Sequence, residues 1–173
     1  PVLVGHSLGG AVVLAAALEM DRPPRAVVVV SGPVYPLKLP PYVSLMRKPG
    51  LGRLLALSAP PRWALRAGLR GIVHDPASVT PELVDGYRAP LLSPERRGWI
   101  VQAPRQLSPR ADAHVLVPRY PELDAPLPAL WGEEDPVVPP RFAERLARAV
   151  PRGEAALLPG VGHLPPEEAP ERP

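Results

Sequence analysis

The chain has 173 residues, 46% of them hydrophobic, and a formal net charge of +3, which suits one domain with a sizeable core. It has no cysteine, which excludes disulfides and thiolate metal sites and leaves the redox compartment open. Its longest apolar runs, at 11–18 and 26–30, are too short to span a bilayer, so no transmembrane segment is predicted.

Residues 2–4 read as the end of an apolar strand, so the chain opens inside an element and resembles a fragment. Gly5-His6-Ser7-Leu8-Gly9-Gly10 follows at once, and an Ala- and Leu-rich helix is predicted over 8–20, stopping before Asp21-Arg22-Pro23-Pro24. Ala26-Val27-Val28-Val29-Val30 is a continuous apolar run, the mark of a strand buried on both faces, and Ser31-Gly32-Pro33 ends it. From 34 to 125 no strand-like run of that strength recurs. That stretch carries helix starts: Thr80-Pro81-Glu82 and Ser93-Pro94-Glu95 each place a capping residue, a first-turn proline and an acid. Pro60-Pro61 opens another, through Trp63, Leu65 and Leu69. About 90 residues are far more than an ordinary connection holds, so a helical cap is predicted there. The alternation then resumes, with a strand at 127–131, a helix at 140–150, a strand at 154–158 and a last helix starting within 165–171.

Strands alternating with helices imply an α/β fold: a parallel sheet of at most four visible strands with helices on its faces. The predicted organisation is a first core part at 1–33, a cap at 34–125 and a second core part at 126–173. The 29 prolines and 14 glycines approach the content of disordered chains, but they are spread along the sequence between apolar runs, which argues for a globular chain. Lys and Arg outnumber Asp and Glu between 37 and 119. With one Phe, three Trp and four Tyr there is no aromatic interleaving for base stacking, so this surplus reads as a solvated surface and no nucleic-acid partner is predicted.

Serine needs a neighbouring base to become a useful nucleophile, and it must stand clear of the backbone. Gly5-His6-Ser7-Leu8-Gly9 fits the G-x-S-x-G turn between a strand and a helix, in which glycines remove side chains that would clash in a strained bend. The Leu8 backbone N–H then lies at the helix start, where it can donate to an oxyanion. Two further strand ends offer partners, Gly132-Glu133-Glu134-Asp135-Pro136 and Pro159-Gly160-Val161-Gly162-His163. In a parallel sheet all carboxyl ends share one edge, so Ser7, Asp135 and His163 are expected to converge, in the order Ser…Asp…His. Glu133, Glu134 and Asp124 are rival acids, and Asp135 before Pro136 could serve only as a cap. His6 is expected to point away from Ser7 as a packed neighbour. His74, expected at a helix end, and His114, in an apolar loop, have no metal-ligand spacing, so no metal or cofactor is predicted.

These motifs resemble the carboxyl-terminal two-thirds of an α/β-hydrolase of the esterase, lipase and carbon–carbon hydrolase superfamily. The likeness is carried by Gly5-His6-Ser7-Leu8-Gly9-Gly10, by the run from Trp131 through Asp135 to Pro139, and by Gly162-His163-Leu164-Pro165-Pro166-Glu167-Glu168-Ala169-Pro170-Glu171. The cap run from Asp75 to Asp85 adds to it. The resemblance implies the α/β-hydrolase fold without its amino-terminal strands, with Ser7 as nucleophile, Asp135 as acid and His163 as base. Serine at position 7 speaks against relatives that use a carboxylate there. The upstream loop that donates a second oxyanion N–H in the family has no counterpart here. This fragment alone is therefore expected to be inactive, since one such donor is worth about 3 kcal/mol.

The expected reaction is acyl transfer to water, with the apolar cap residues Leu54, Leu55, Leu57, Trp63 and Trp99 favouring a small or medium hydrophobic ester. Rival readings are carbon–carbon cleavage on the same triad, a lyase or cofactor-free oxidising enzyme, and a non-catalytic binding module.

Overall fold

The computed structural model describes residues 1–37, 59–98 and 115–171. In chain order the elements are β1 (Val2–His6), α1 (Leu8–Glu19), β2 (Ala26–Val30), α2 (Arg62–Arg70), α3 (Pro81–Arg88), β3 (Leu127–Gly132), α4 (Arg141–Ala149), β4 (Gly153–Leu158) and α5 (Pro165–Glu168). They fall into two compact units. One comprises Pro1–Leu37, Ile72–Asp75 and Pro109–Pro173; the other comprises Lys38–Gly71 and Pro76–Ser108.

Among the described residues, the first unit is built on a four-stranded, wholly parallel sheet in the order β1-β2-β3-β4. Val4 pairs with Val28, Val29 with Ala129 and Leu130 with Ala156. Each parallel step needs a crossover. Helix α1 supplies one between β1 and β2, and α4 supplies another between β3 and β4; each packs on the strands it joins. This parallel sheet with flanking helices is the predicted α/β arrangement. Its consequence is positional: the residues after all four strands lie along one edge.

Helix α1 is apolar on every side and ends where Met20 turns extended, ahead of Pro23-Pro24. Leu14 is fully buried, as are Val27 and Val29 of β2, whereas Ala26 and Val28 are only half-buried. Leu127, Ala129 and Trp131 of β3 meet Ala143 and Leu146 of α4 in the same core. Each such leucine or valine contributes roughly 1.5–3 kcal/mol. An aromatic group closes the far side. Tyr35 lies edge-on to Tyr120 at 5.7 Å and to Phe142 at 5.2 Å, with the Arg145 guanidinium 3.9 Å above its ring. The Tyr120 hydroxyl donates to the Val34 carbonyl, and burial raises its phenol well above the ordinary range. Strand β1 is at the sheet margin, and Val2 and Val4 are 54% and 65% exposed.

The last helix does start within 165–171, as predicted, and α5 ends at Glu168, where Ala169 leaves helical geometry ahead of Pro170.

In the second unit the predicted caps form. The Thr80 hydroxyl accepts the Leu83 N–H at 3.2 Å at the start of α3, and Ser93 accepts the Arg96 N–H at 3.4 Å before helical backbone at 94–98. Arg62 of α2 pairs with Asp85 of α3. Trp63, expected to give an apolar lining, is 75% exposed and flanks an open, largely apolar hollow with Arg62, Arg66, Pro81 and Val84. Leu54, Leu55, Leu57, Trp99 and His114 lie outside the described residues. Among the described residues, no helix is long and apolar enough to cross a membrane.

Candidate active site

The turn at Ser7 is strained. Ser7 has φ 51° and ψ −125°, where an L side chain is disfavoured at a cost of roughly 1–3 kcal/mol. The conformation is held by its neighbours: its N–H donates to the Val30 carbonyl at 2.8 Å, and its own carbonyl accepts the Gly10 N–H at 2.8 Å. The bend brings the helix start against the strand. A Cβ on Gly5 would lie 2.2 Å from the Gly9 carbonyl oxygen, so only glycine fits there. Gly9 corrects the expectation that both glycines of the motif avoid a clash, because a Cβ at Gly9 would meet nothing within 4 Å. Leu8 is the first residue of α1, so its N–H has no intrahelical acceptor and is available beside Ser7.

Asp135 lies in the turn after β3 and its side chain is completely buried. Its two oxygens do different things. Oδ1 accepts the N–H groups of Val137 and Val138 at 2.8 and 2.9 Å, which fixes the turn. Oδ2 is 2.8 Å from His163 Nδ1. Asp135 therefore does not cap the helix that follows, whose N-cap is Pro140; one carboxylate fixes the turn and partners the histidine. The rival acids are elsewhere: Glu134 accepts the Val161 N–H at 3.0 Å, and Glu133 and Asp124 are exposed.

His163 follows β4 and is 5% exposed. Its Nε2 is 3.0 Å from Ser7 Oγ. A carboxylate can only accept, so Nδ1 carries the proton and Nε2 offers its lone pair to the Ser7 hydroxyl, which donates. The structure thus brings Ser7, His163 and Asp135 into one line of hydrogen bonds.

His6 is closer to this line than alternation along β1 suggests. Its Nε2 is 2.7 Å from the His163 carbonyl oxygen, so Nε2 carries the proton there, and the two imidazoles are 5.2 Å apart. Burial lowers its pKa from the ordinary 6.5, against the opposing effect of that hydrogen bond. His74, expected to end a helix, lies beyond α2 in the Ile72–Asp75 stretch, and its main-chain N–H donates to Glu168. Among the described residues, no three His, Asp or Glu side chains are grouped so as to hold a metal ion.

A model of the alpha/beta hydrolase family matches residues 1–172. The chain belongs to this family. Hydrolase YugF of Bacillus subtilis, itself uncharacterized, is 29% identical over 98% of this chain. An alpha/beta hydrolase fold protein from Burkholderia ambifaria superposes with a TM-score of 0.80 over 99% of the chain at 24% identity. A thermophilic esterase from Thermogutta terrifontis superposes with a TM-score of 0.75 over 99% at 25% identity. The chain spans 61% of YugF and 62% and 60% of the two solved structures.

Within this family member, sequence reasoning weighed Glu134 only as a rival acid, assigned no role to Glu168 and left His6 as packing. All three hydrogen-bond the loop that carries His163. Only their nearness to the His163 and Asp135 motifs hinted at this.

Proposed function

We propose that this chain carries the nucleophile, base and acid of a serine hydrolase cleaving a carboxylic ester or similar acyl bond. One observation supports this above the others: the hydrogen bonds that run from the buried Asp135 carboxylate through His163 to the Ser7 hydroxyl. Ser7 Oγ attacks the substrate carbonyl while its proton passes to His163 Nε2. Asp135 holds the ring in the required tautomer and stabilises the imidazolium. The Leu8 N–H donates to the oxyanion, an interaction worth about 3 kcal/mol per donor. His163 then returns the proton to the leaving alcohol and activates the water that releases the acid. The apolar residues Leu54, Leu55, Leu57, Trp63 and Trp99 of the predicted cap favour a small or medium hydrophobic ester.

Treating the full-length protein with a fluorophosphonate probe and locating the adduct by mass spectrometry tests this reading. Ser7 is expected to be labelled, and the Ser7→Ala and His163→Ala variants are not. Nitrophenyl esters of graded acyl length are expected to be hydrolysed, and Asp135→Asn should slow turnover by on the order of 10⁴. A folded protein whose Ser7 stays unlabelled refutes the reading. Cleavage of a diketone with no ester turnover would move the same three residues to carbon–carbon chemistry.

A further inference from the structure

The His163 loop has no regular structure, yet its main chain is fully bonded over four successive N–H groups. Val161 donates to Glu134 at 3.0 Å and His163 to the Ile72 carbonyl at 2.8 Å. The two between and after them, Gly162 and Leu164, both donate to Glu168, at 3.0 and 3.1 Å. Glu168 Oε2 also accepts the His74 N–H at 2.7 Å. One carboxylate therefore grips the residues on either side of His163 and the neighbouring 72–75 segment together. The approach is close, since a Cβ on Gly162 would lie 2.6 Å from His74 N. Bonds to a charged acceptor are about twice as strong as neutral ones, so this grip is stiff.

We propose that Glu168 is a positioning residue for His163, fixing the loop so that the imidazole spans Asp135 and Ser7. It touches neither the ring nor the hydroxyl, and it acts through the main chain. The catalytic part of this inference rests on the serine-hydrolase reading above; the geometric part does not. Displacing a base by about 1 Å costs on the order of a hundredfold in rate. Glu168→Ala frees all three N–H groups. Glu168→Gln keeps one oxygen for Gly162 and Leu164 but turns an amide NH₂ toward His74.

Two measurements on the full-length protein test this. In proton NMR, the His163 Nδ1–H bonded to Asp135 is expected as a sharp downfield resonance that broadens or vanishes in Glu168→Ala and persists, weakened, in Glu168→Gln. In ester hydrolysis, kcat should fall about a hundredfold in Glu168→Ala and about tenfold in Glu168→Gln, with KM within twofold. If Glu168→Ala does not fold, the graded loss in Glu168→Gln decides alone. An unchanged downfield resonance and unchanged kcat in a folded variant overturn the proposal, as does a loss confined to KM. A wild-type protein that shows the resonance, and loses it in Glu168→Ala, yet resists fluorophosphonate, overturns the hydrolase reading and leaves the positioning role standing.

Discussion

At the scale of single residues, the surroundings of His163 make the protonation of its neighbour consequential. His6 is kept neutral by burial, with the His163 ring opposing its charge and Asp135 and Glu167 favouring it. Its pKa in the folded chain lies below 6.5, so between the two values the unfolded chain binds a proton that the folded chain refuses. Stability from this source is complete above about pH 6.5 and drains away as pH falls through the window beneath it. Urea midpoints measured from pH 7.5 to 5 are expected to drop, and to drop less steeply in His6→Gln, which retains a donor for the His163 carbonyl. Parallel slopes in the two proteins would refute this account. Alternation along β1 makes His6 legible as a packed residue. Its bond to a main-chain carbonyl on another strand's loop is a tertiary fact that no spacing encodes, and the same holds for Glu168.

At the scale of elements, the strand–turn–helix at residues 2–19 was legible because three signals agree there: an apolar strand, a glycine-rich bend and an Ala-rich helix. Strand β2 matched its predicted span at Ala26–Val30, and β3 and β4 lie within a residue of theirs. Each is a short apolar run closed by glycine or proline, which leaves little freedom in where it ends. What the motif did not disclose is that its two glycines differ. Gly5→Ala drives a methyl into the Gly9 carbonyl and should destabilise the fold by about 3 kcal/mol or more. Gly9→Ala adds a methyl in open space within a helix and should be neutral or stabilising by up to about 1 kcal/mol. Thermal melts of the two variants separate these outcomes, and equal losses would contradict the close approach at Gly5. The stretch from 34 to 125 was less legible, since its apolar residues suggest helices without revealing which side each faces. Trp63 illustrates this.

At the scale of the whole molecule, the parallel sheet determines where the site lies, because the ends of its strands share one edge. Among the described residues, strand β1 pairs with β2 alone, and its Val2 and Val4 are exposed. The bend at Ser7 has a global counterpart. Removing the hydroxyl abolishes the bond to His163 whichever small residue replaces it, so alanine and glycine at position 7 differ in the backbone alone. Glycine relaxes at a positive φ, and that relief outweighs the entropy it adds to the unfolded chain by about 1 kcal/mol. Of these two variants, the one with glycine should melt several degrees higher, inverting the usual order in which alanine is the sturdier residue.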